Sequence, residues 1–436
     1  MQSLRIDSKN MRFLTHGALA SFGTYFCMYA FRKPFTVATY ENLDFIGIDY
    51  KIVLIIAQVI GYMLSKFIGI KLISELKAEN RLKYLLAMIA FAELSLILFA
   101  WIPSPYNLFF MFLNGLSLGM IWGVVFSYVE GRKFTEILGV ILCSSFIVSS
   151  GVVKSAGLLV MTYFNVTEFW MPAVTGAFFL LPFIGFAMML DRMPPPTEED
   201  KFLRKERLPM SQKDRKKVLA SFFFPILILV FFYVCLTAMR DFRDNFSREI
   251  WDAVGYKGDV AIYTLSEIPV AIVVLLSIGM FAFIKNNYRA FLSYHYLLIL
   301  GAFSVGVSTL LFQNSIIDPA LWMILVGLGL YICYVPFNCI FFDRMIATFR
   351  IKGNAGYLIY IADAFGYLGS MAVLLYKNFG HNTISWLQFF MNGTYIISVI
   401  GVVISVLSLW YFKRKYRKAQ SVPETNYISQ TYEQPI

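Results

Sequence analysis

Gly23-Thr-Tyr-Phe-Cys-Met-Tyr-Ala-Phe-Arg-Lys-Pro-Phe35 closes the first apolar run of the chain with an arginine and a lysine. Charge at such a depth in a bilayer costs about 2.5–3.5 kcal/mol on insertion scales, and an arginine does not escape that cost by giving up its proton. The pattern then returns. Tyr25-x-Cys27-x-x-Ala30-x-Arg32 is matched in register by Tyr233-x-Cys235-x-x-Ala238-x-Arg240. Apolar segments draw on few residue types, so the tyrosine, cysteine and alanine say little by themselves. The repeated arginine is informative, and it points to a duplicated membrane protein with a cationic site where its halves meet.

Composition supports that reading. The 436 residues are 58% hydrophobic and only 15% charged, whereas soluble domains carry about 25% charge. Mean hydropathy is +0.64. Several runs exceed the roughly 18 apolar residues needed to cross a bilayer. The expectation is an all-α membrane protein of twelve transmembrane helices in two six-helix repeats. The spans are 12–36, 52–74, 83–102, 107–128, 136–164 and 170–190, then 220–246, 260–284, 291–313, 319–342, 355–378 and 386–412. Residues 1–190 and 220–412 form the halves, 191–219 a polar linker and 413–436 a tail. A net charge of +11 does not imply nucleic acid here, because Lys and Arg gather in cytoplasmic loops. All five cysteines lie in apolar segments and none has metal-ligand spacing with a histidine, so they read as packing residues. No metal, cofactor, nucleotide motif or nucleophile–base arrangement is indicated, and the chain is not expected to be an enzyme.

Loop charge sets the expected orientation. Arg5, Lys9 and Arg12, then Lys77, Arg81 and Lys83, the linker, and Lys413 to Lys418 fall on one side. The loops 103–106, 165–169 and 314–318 contain no Lys or Arg, although Arg248 and Lys257 interrupt the pattern. Both termini and the linker are therefore expected in the cytoplasm of a cell bearing the protein in its inner or plasma membrane. The halves echo each other again in Gly115-Leu-Ser-Leu118 and Gly327-Leu-Gly-Leu330. Six plus six spans around a basic linker describe the major facilitator architecture, whose substrate site lies between the halves near mid-membrane.

Tyr29-Ala-Phe-Arg-Lys-Pro-Phe35, with Ser65-Lys-Phe67 in the second span, resembles the signature of the organophosphate:phosphate antiporters, the glycerol-phosphate and hexose-phosphate transporters. That resemblance implies phosphoryl binding by Arg32 and Arg240, with Lys66 close by. The chain departs from the family in its fifth span. There Phe146 stands about where the family has a histidine, and Lys154 follows two turns later.

The residues themselves leave alternatives open. Arg32, Lys33 and Tyr29 form an anion clamp, or Lys33 snorkels to the interface. Arg240 either meets substrate or pairs with Asp244 at i,i+4, in which case Arg243 is the free cation. Lys66 and Lys154 either meet substrate or pair across helices with Glu93, Glu267 or Asp363. Those acids have a second possible role as proton carriers. The leading expectation is a secondary transporter of a small anionic substrate, an organophosphate or phosphate, surrounded by membrane lipid. The alternatives are a proton-coupled carrier of a neutral or sugar-like solute, and a non-transporting sensor on the same fold with a partner protein. The topology has a direct check. A cysteine at Ser211 should resist impermeant labelling in intact cells and react after permeabilisation, and ready labelling from outside would reverse the orientation.

Overall fold

The computed structural model describes residues 8–420 apart from 131, 133, 196, 199, 201–211, 283, 285, 350–354, 381 and 382. Within the first half lie α1 (Ser8–Met28), α2 (Tyr50–Glu75), α3 (Arg81–Trp101), α4 (Leu108–Leu118), α5 (Ile121–Val129), α6 (Thr135–Phe164) and α7 (Met171–Asp191). The second contains α8 (Gln212–Asn245), α9 (Ser247–Ala253), α10 (Ile262–Ala282), α11 (Asn287–Gln313), α12 (Pro319–Cys339), α13 (Phe341–Thr348), α14 (Ala355–Leu375) and α15 (Trp386–Gln420). A two-stranded hairpin, β1 (Asp44–Phe45) and β2 (Ile48–Asp49), precedes α2. Among the described residues eleven spans are long and apolar enough to cross a membrane, with α4 and α5 together making one of them. Helix α1, which the sequence reading counts as the first of twelve spans, is not among these eleven. This is an integral multi-pass membrane protein.

Local chemistry accounts for many of the boundaries. Asp49 caps α2 by accepting from the Lys51 amide at 2.9 Å. Asp318 caps α12 through Ala320 and Leu321, with Pro319 at the first helical position, where its missing N–H costs nothing. Asn286 caps α11, and Asn165 ends α6 in the left-handed region. Helix α8 bends at Phe222, just before Pro225, as expected where a proline removes a backbone donor.

Several boundaries differ from the sequence reading: regular helix ends at Met28 instead of reaching residue 36, and α8 begins at Gln212 inside the expected linker. The last helix continues to Gln420, through the basic run beginning at Lys413, because straight-chain Lys and Arg favour helix once clear of the bilayer. The loop after Asn245 is not open. It folds into α9, and Arg248 is held there by Asp252 at 3.7 Å and by the carbonyl of Val37, which explains a basic residue on an otherwise bare side.

The repeat is visible in the packing. In the first half α1 lies against α6 and α7, and α2 against α4; in the second, α8 lies against α14 and α15, and α10 against α12. The halves meet along α6 with α10 and α2 with α14. Close approach of α2 and α4 depends on Gly61 and Gly115. A Cβ at Gly115 would strike the Gln58 carbonyl, and one at Gly61 the Phe112 carbonyl. Overpacking of this kind costs about 1–3 kcal/mol. Gly115→Val should therefore lower the melting temperature clearly. Gly185→Ala and Gly279→Ala, where a Cβ meets nothing within 4 Å, should leave it unchanged or raise it. Equal effects would contradict the packing.

Candidate functional site

The arginine motif sits on a broken helix. Regular α-helix stops at Met28, a 3-10 turn covers Tyr29–Phe31, and a second covers Pro34–Val37. Pro34 has no N–H and disfavours helix in the residue before it. The break exposes carbonyls that hydrocarbon would leave unsatisfied. Polar side chains from neighbouring helices take them: Asn114 Nδ2 donates to Phe31 O at 3.0 Å and Gln58 Nε2 to Arg32 O at 3.0 Å. Gln58 also donates to Asn114 Oδ1 at 2.9 Å, so α2 and α4 together fix the backbone that carries Arg32.

The Arg32 guanidinium lies over the Tyr62 ring, 3.8 Å from its centroid, with Tyr29 and Tyr367 at 5.9 and 5.7 Å. Residue exposure is 3%. Among the described residues its guanidinium makes no ion pair, and its Nε has no hydrogen-bond partner. Arg240, its counterpart in the repeat, stacks on Tyr334 at 4.2 Å and faces Phe146 at 6.0 Å. It reaches Asp241 at 2.7 Å. Each arginine thus has an aromatic neighbour from the opposite half, Tyr367 for Arg32 and Phe146 for Arg240. Tyr29 and Tyr367 lie within electrostatic reach of both guanidiniums. Tyr25, Tyr29, Tyr62, Lys66, Arg240 and Asp363 are among the residues that line one small cavity between the halves.

Most of the remaining candidates are paired, and several expectations change. Arg240 does not pair with Asp244. Asp244 instead takes Lys33 and Lys154 from the first half, two ammonium groups outcompeting one guanidinium. Arg243 is not the free cation, because Glu267 holds it at 2.6 Å and Met323 O accepts from it at 3.2 Å. Lys33 does not snorkel outward; it is buried on Asp244 and donates to Asn245 Oδ1 at 2.8 Å. Lys66 pairs across the halves with Asp363 at 2.8 Å, and Asp363 also accepts from Tyr233 Oη at 2.6 Å. Glu93 pairs with neither lysine; it is buried against Gly176, with Oε2 unpartnered.

Asp241, Gln58, Asn114 and Tyr334 did not stand out as site residues in the sequence. A signal existed for Gln58 and Asn114, since amides inside apolar spans need partners. Tyr334 and Tyr367 were hidden among abundant aromatics.

Comparison with known proteins follows from this geometry. Residues 34–415 match DUF5690, described as a family of unknown function. No curated protein matches the sequence. Solved structures do. The nucleoside transporter NupG matches with a TM-score of 0.56 at 13% identity, covering 92% of this chain and 100% of that one. A bacterial homologue of the human drug peptide transporters gives 0.60 at 12%, covering 93% and 99%. A D-xylose-proton symporter gives 0.55 at 15%, covering 91% and 96%. The fold is that of the major facilitator transporters.

The Lys66–Asp363 pair makes a prediction. Removing one member of a buried pair costs about 3–5 kcal/mol, and removing both is often neutral. Lys66→Met should destabilise the protein, and Lys66→Met with Asp363→Asn should recover most of the loss in a thermal unfolding assay. No recovery would mean that Lys66 is held by something other than Asp363.

Proposed function

The chain belongs to the DUF5690 family, and we propose that it is a secondary transporter of a small anion, an organophosphate or inorganic phosphate. The observation that carries this reading is Arg32: a buried guanidinium with aromatic faces around it and no carboxylate bound to it. The wider charge balance supports it. Arg32, Lys33, Lys66, Lys154, Arg240 and Arg243 are buried with five acidic side chains, Glu93, Asp241, Asp244, Glu267 and Asp363. Basic groups outnumber acidic ones there, which suits an anionic substrate such as a phosphate ester.

Arg32 and Arg240 are the clamp, one from each half, with Tyr29 beside them. A guanidinium presents a planar fork of donors that matches phosphoryl oxygens. The anion draws the halves together, and alternating rocking exposes it to either side. Exchange of one anion for another follows naturally, since an unmatched guanidinium in a site closed to water is costly. Residues 1–190 and 220–412 are the moving halves, joined by the linker 191–219, with that linker, both termini and the tail 413–436 in the cytoplasm.

Liposome uptake and anion-induced thermal stabilisation test the clamp. Each charge-assisted contact is worth about 1.5–3 kcal/mol, so Arg32→Ala and Arg240→Ala should each weaken phosphate binding by on the order of ten- to a hundred-fold. Arg32→Lys should rescue only in part, because it keeps the charge and loses the fork. Undiminished anion binding in both alanine variants would overturn the clamp, and stabilisation by neutral sugars alone would favour a neutral-solute carrier.

A further inference from the structure

Asp244 receives more donors than any carboxylate of the central site. Lys33 Nζ meets Oδ2 at 2.5 Å. Lys154 Nζ meets Oδ1 and also donates to the Asp244 backbone carbonyl at 2.6 Å. The Ser150 hydroxyl donates to Oδ1 as well. All three donors belong to the first half, and Asp244 belongs to the second. Two ammonium groups and a hydroxyl converging on one pair of oxygens form the donor set of an oxyanion site. Two further donors beside it have no partner among the described residues, Ser247 Oγ and Arg243 Nε. Both residues are more than nine-tenths buried, and both line the same cleft as Ser150, Lys154 and Asp244. The cleft therefore holds more donors than Asp244 uses.

We propose that Lys33, Lys154, Ser150, Ser247 and Arg243 form a second oxyanion site on the substrate path, which Asp244 occupies as a built-in competitor. The site takes the same chemistry as the central clamp, a phosphate or phosphate ester, and so rests on the anion reading above. With Asp244 in it, the site latches the end of α8 to α6 and to the turn after α1. An anion that takes the two lysines displaces Asp244 and breaks these cross-half bonds. The displaced carboxylate then repels the anion that replaced it, which drives the halves apart at this end. The substrate itself thus unlatches the path.

Two variants and two readouts test this. Inorganic phosphate is the probe. Asp244→Asn removes the competitor while keeping its shape, so phosphate should bind on the order of tenfold more tightly than to wild type. A cysteine at Ser266, buried on the same cleft, should react with a water-soluble maleimide in the Asp244→Asn background. In the otherwise wild-type protein it should react only when phosphate is present. The triple variant Lys33→Met, Lys154→Met, Asp244→Asn leaves none of these three charges buried and is the one to use if the single variant does not fold. It should label at position 266 without the tighter phosphate binding. Phosphate binding no tighter in Asp244→Asn than in wild type, or no labelling in either variant, would overturn the latch. If phosphate binds neither wild type nor Asp244→Asn, the central anion reading falls with it; if wild type binds and the variant gains nothing, only the latch falls.

Discussion

The arrangement turns on one constraint: a guanidinium that cannot lose its charge is buried between two helical halves without a carboxylate of its own. Water would solvate it, and hydrocarbon will not. The Tyr62 face offsets part of the cost, since a desolvated cation–π contact contributes about 2 kcal/mol. That does not replace a counter-ion. The neighbourhood consequently behaves as a charge reservoir with a deficit of negative charge. Asp241 lies close enough to act on Arg32 but makes its ion pair with Arg240. On the proposed function, an anion between the halves completes the balance.

The other buried charges divide into contacts within a half and contacts across. Arg240–Asp241 and Arg243–Glu267 are internal to the second half. Lys66–Asp363, Lys33–Asp244 and Lys154–Asp244 cross between halves. Lys51–Glu249 and Arg344–Glu136 cross as well, nearer the two ends of the bundle. On the alternating-access reading proposed above, pairs that cross are reversible fasteners, because their partners belong to different halves. Their strength depends on dryness, so admitting water or a competing anion loosens them. On the same reading the internal pairs hold the shape of the site while the fasteners open and close.

Much of this was legible in the sequence, and the limits were physical. Hydropathy and loop charge gave the spans because membrane helices must satisfy every backbone group internally. The repeated arginine pointed to where the buried charges gather, because charge is rare in such segments. The pairing of the other charges was legible only in part: Lys66 with Asp363 was among the cross-helix pairs expected, while the partners of Arg240, Lys33 and Lys154 were not. Arg240 and Asp244 lie four residues apart on α8, and helical geometry alone favours their union. Asp244 went to Lys33 and Lys154 because tertiary packing brought two cations to it, and a one-dimensional spacing rule does not see across helices. The reliance of Arg32 on Gln58 and Asn114 was hidden for the same reason: the proline break is visible in sequence, but not which amides close it.

Charge selection by the unmodified protein tests the central claim most directly. Calorimetric binding to glycerol, glycerate and glycerol 3-phosphate varies ligand charge from neutral to dianionic on one small carbon frame. A site with unmatched positive charge should rank them in that order of increasing affinity, with the dianion bound most tightly and its advantage reduced at high salt. Equal affinity across the three, or preference for neutral glycerol, would contradict an anion site built on Arg32.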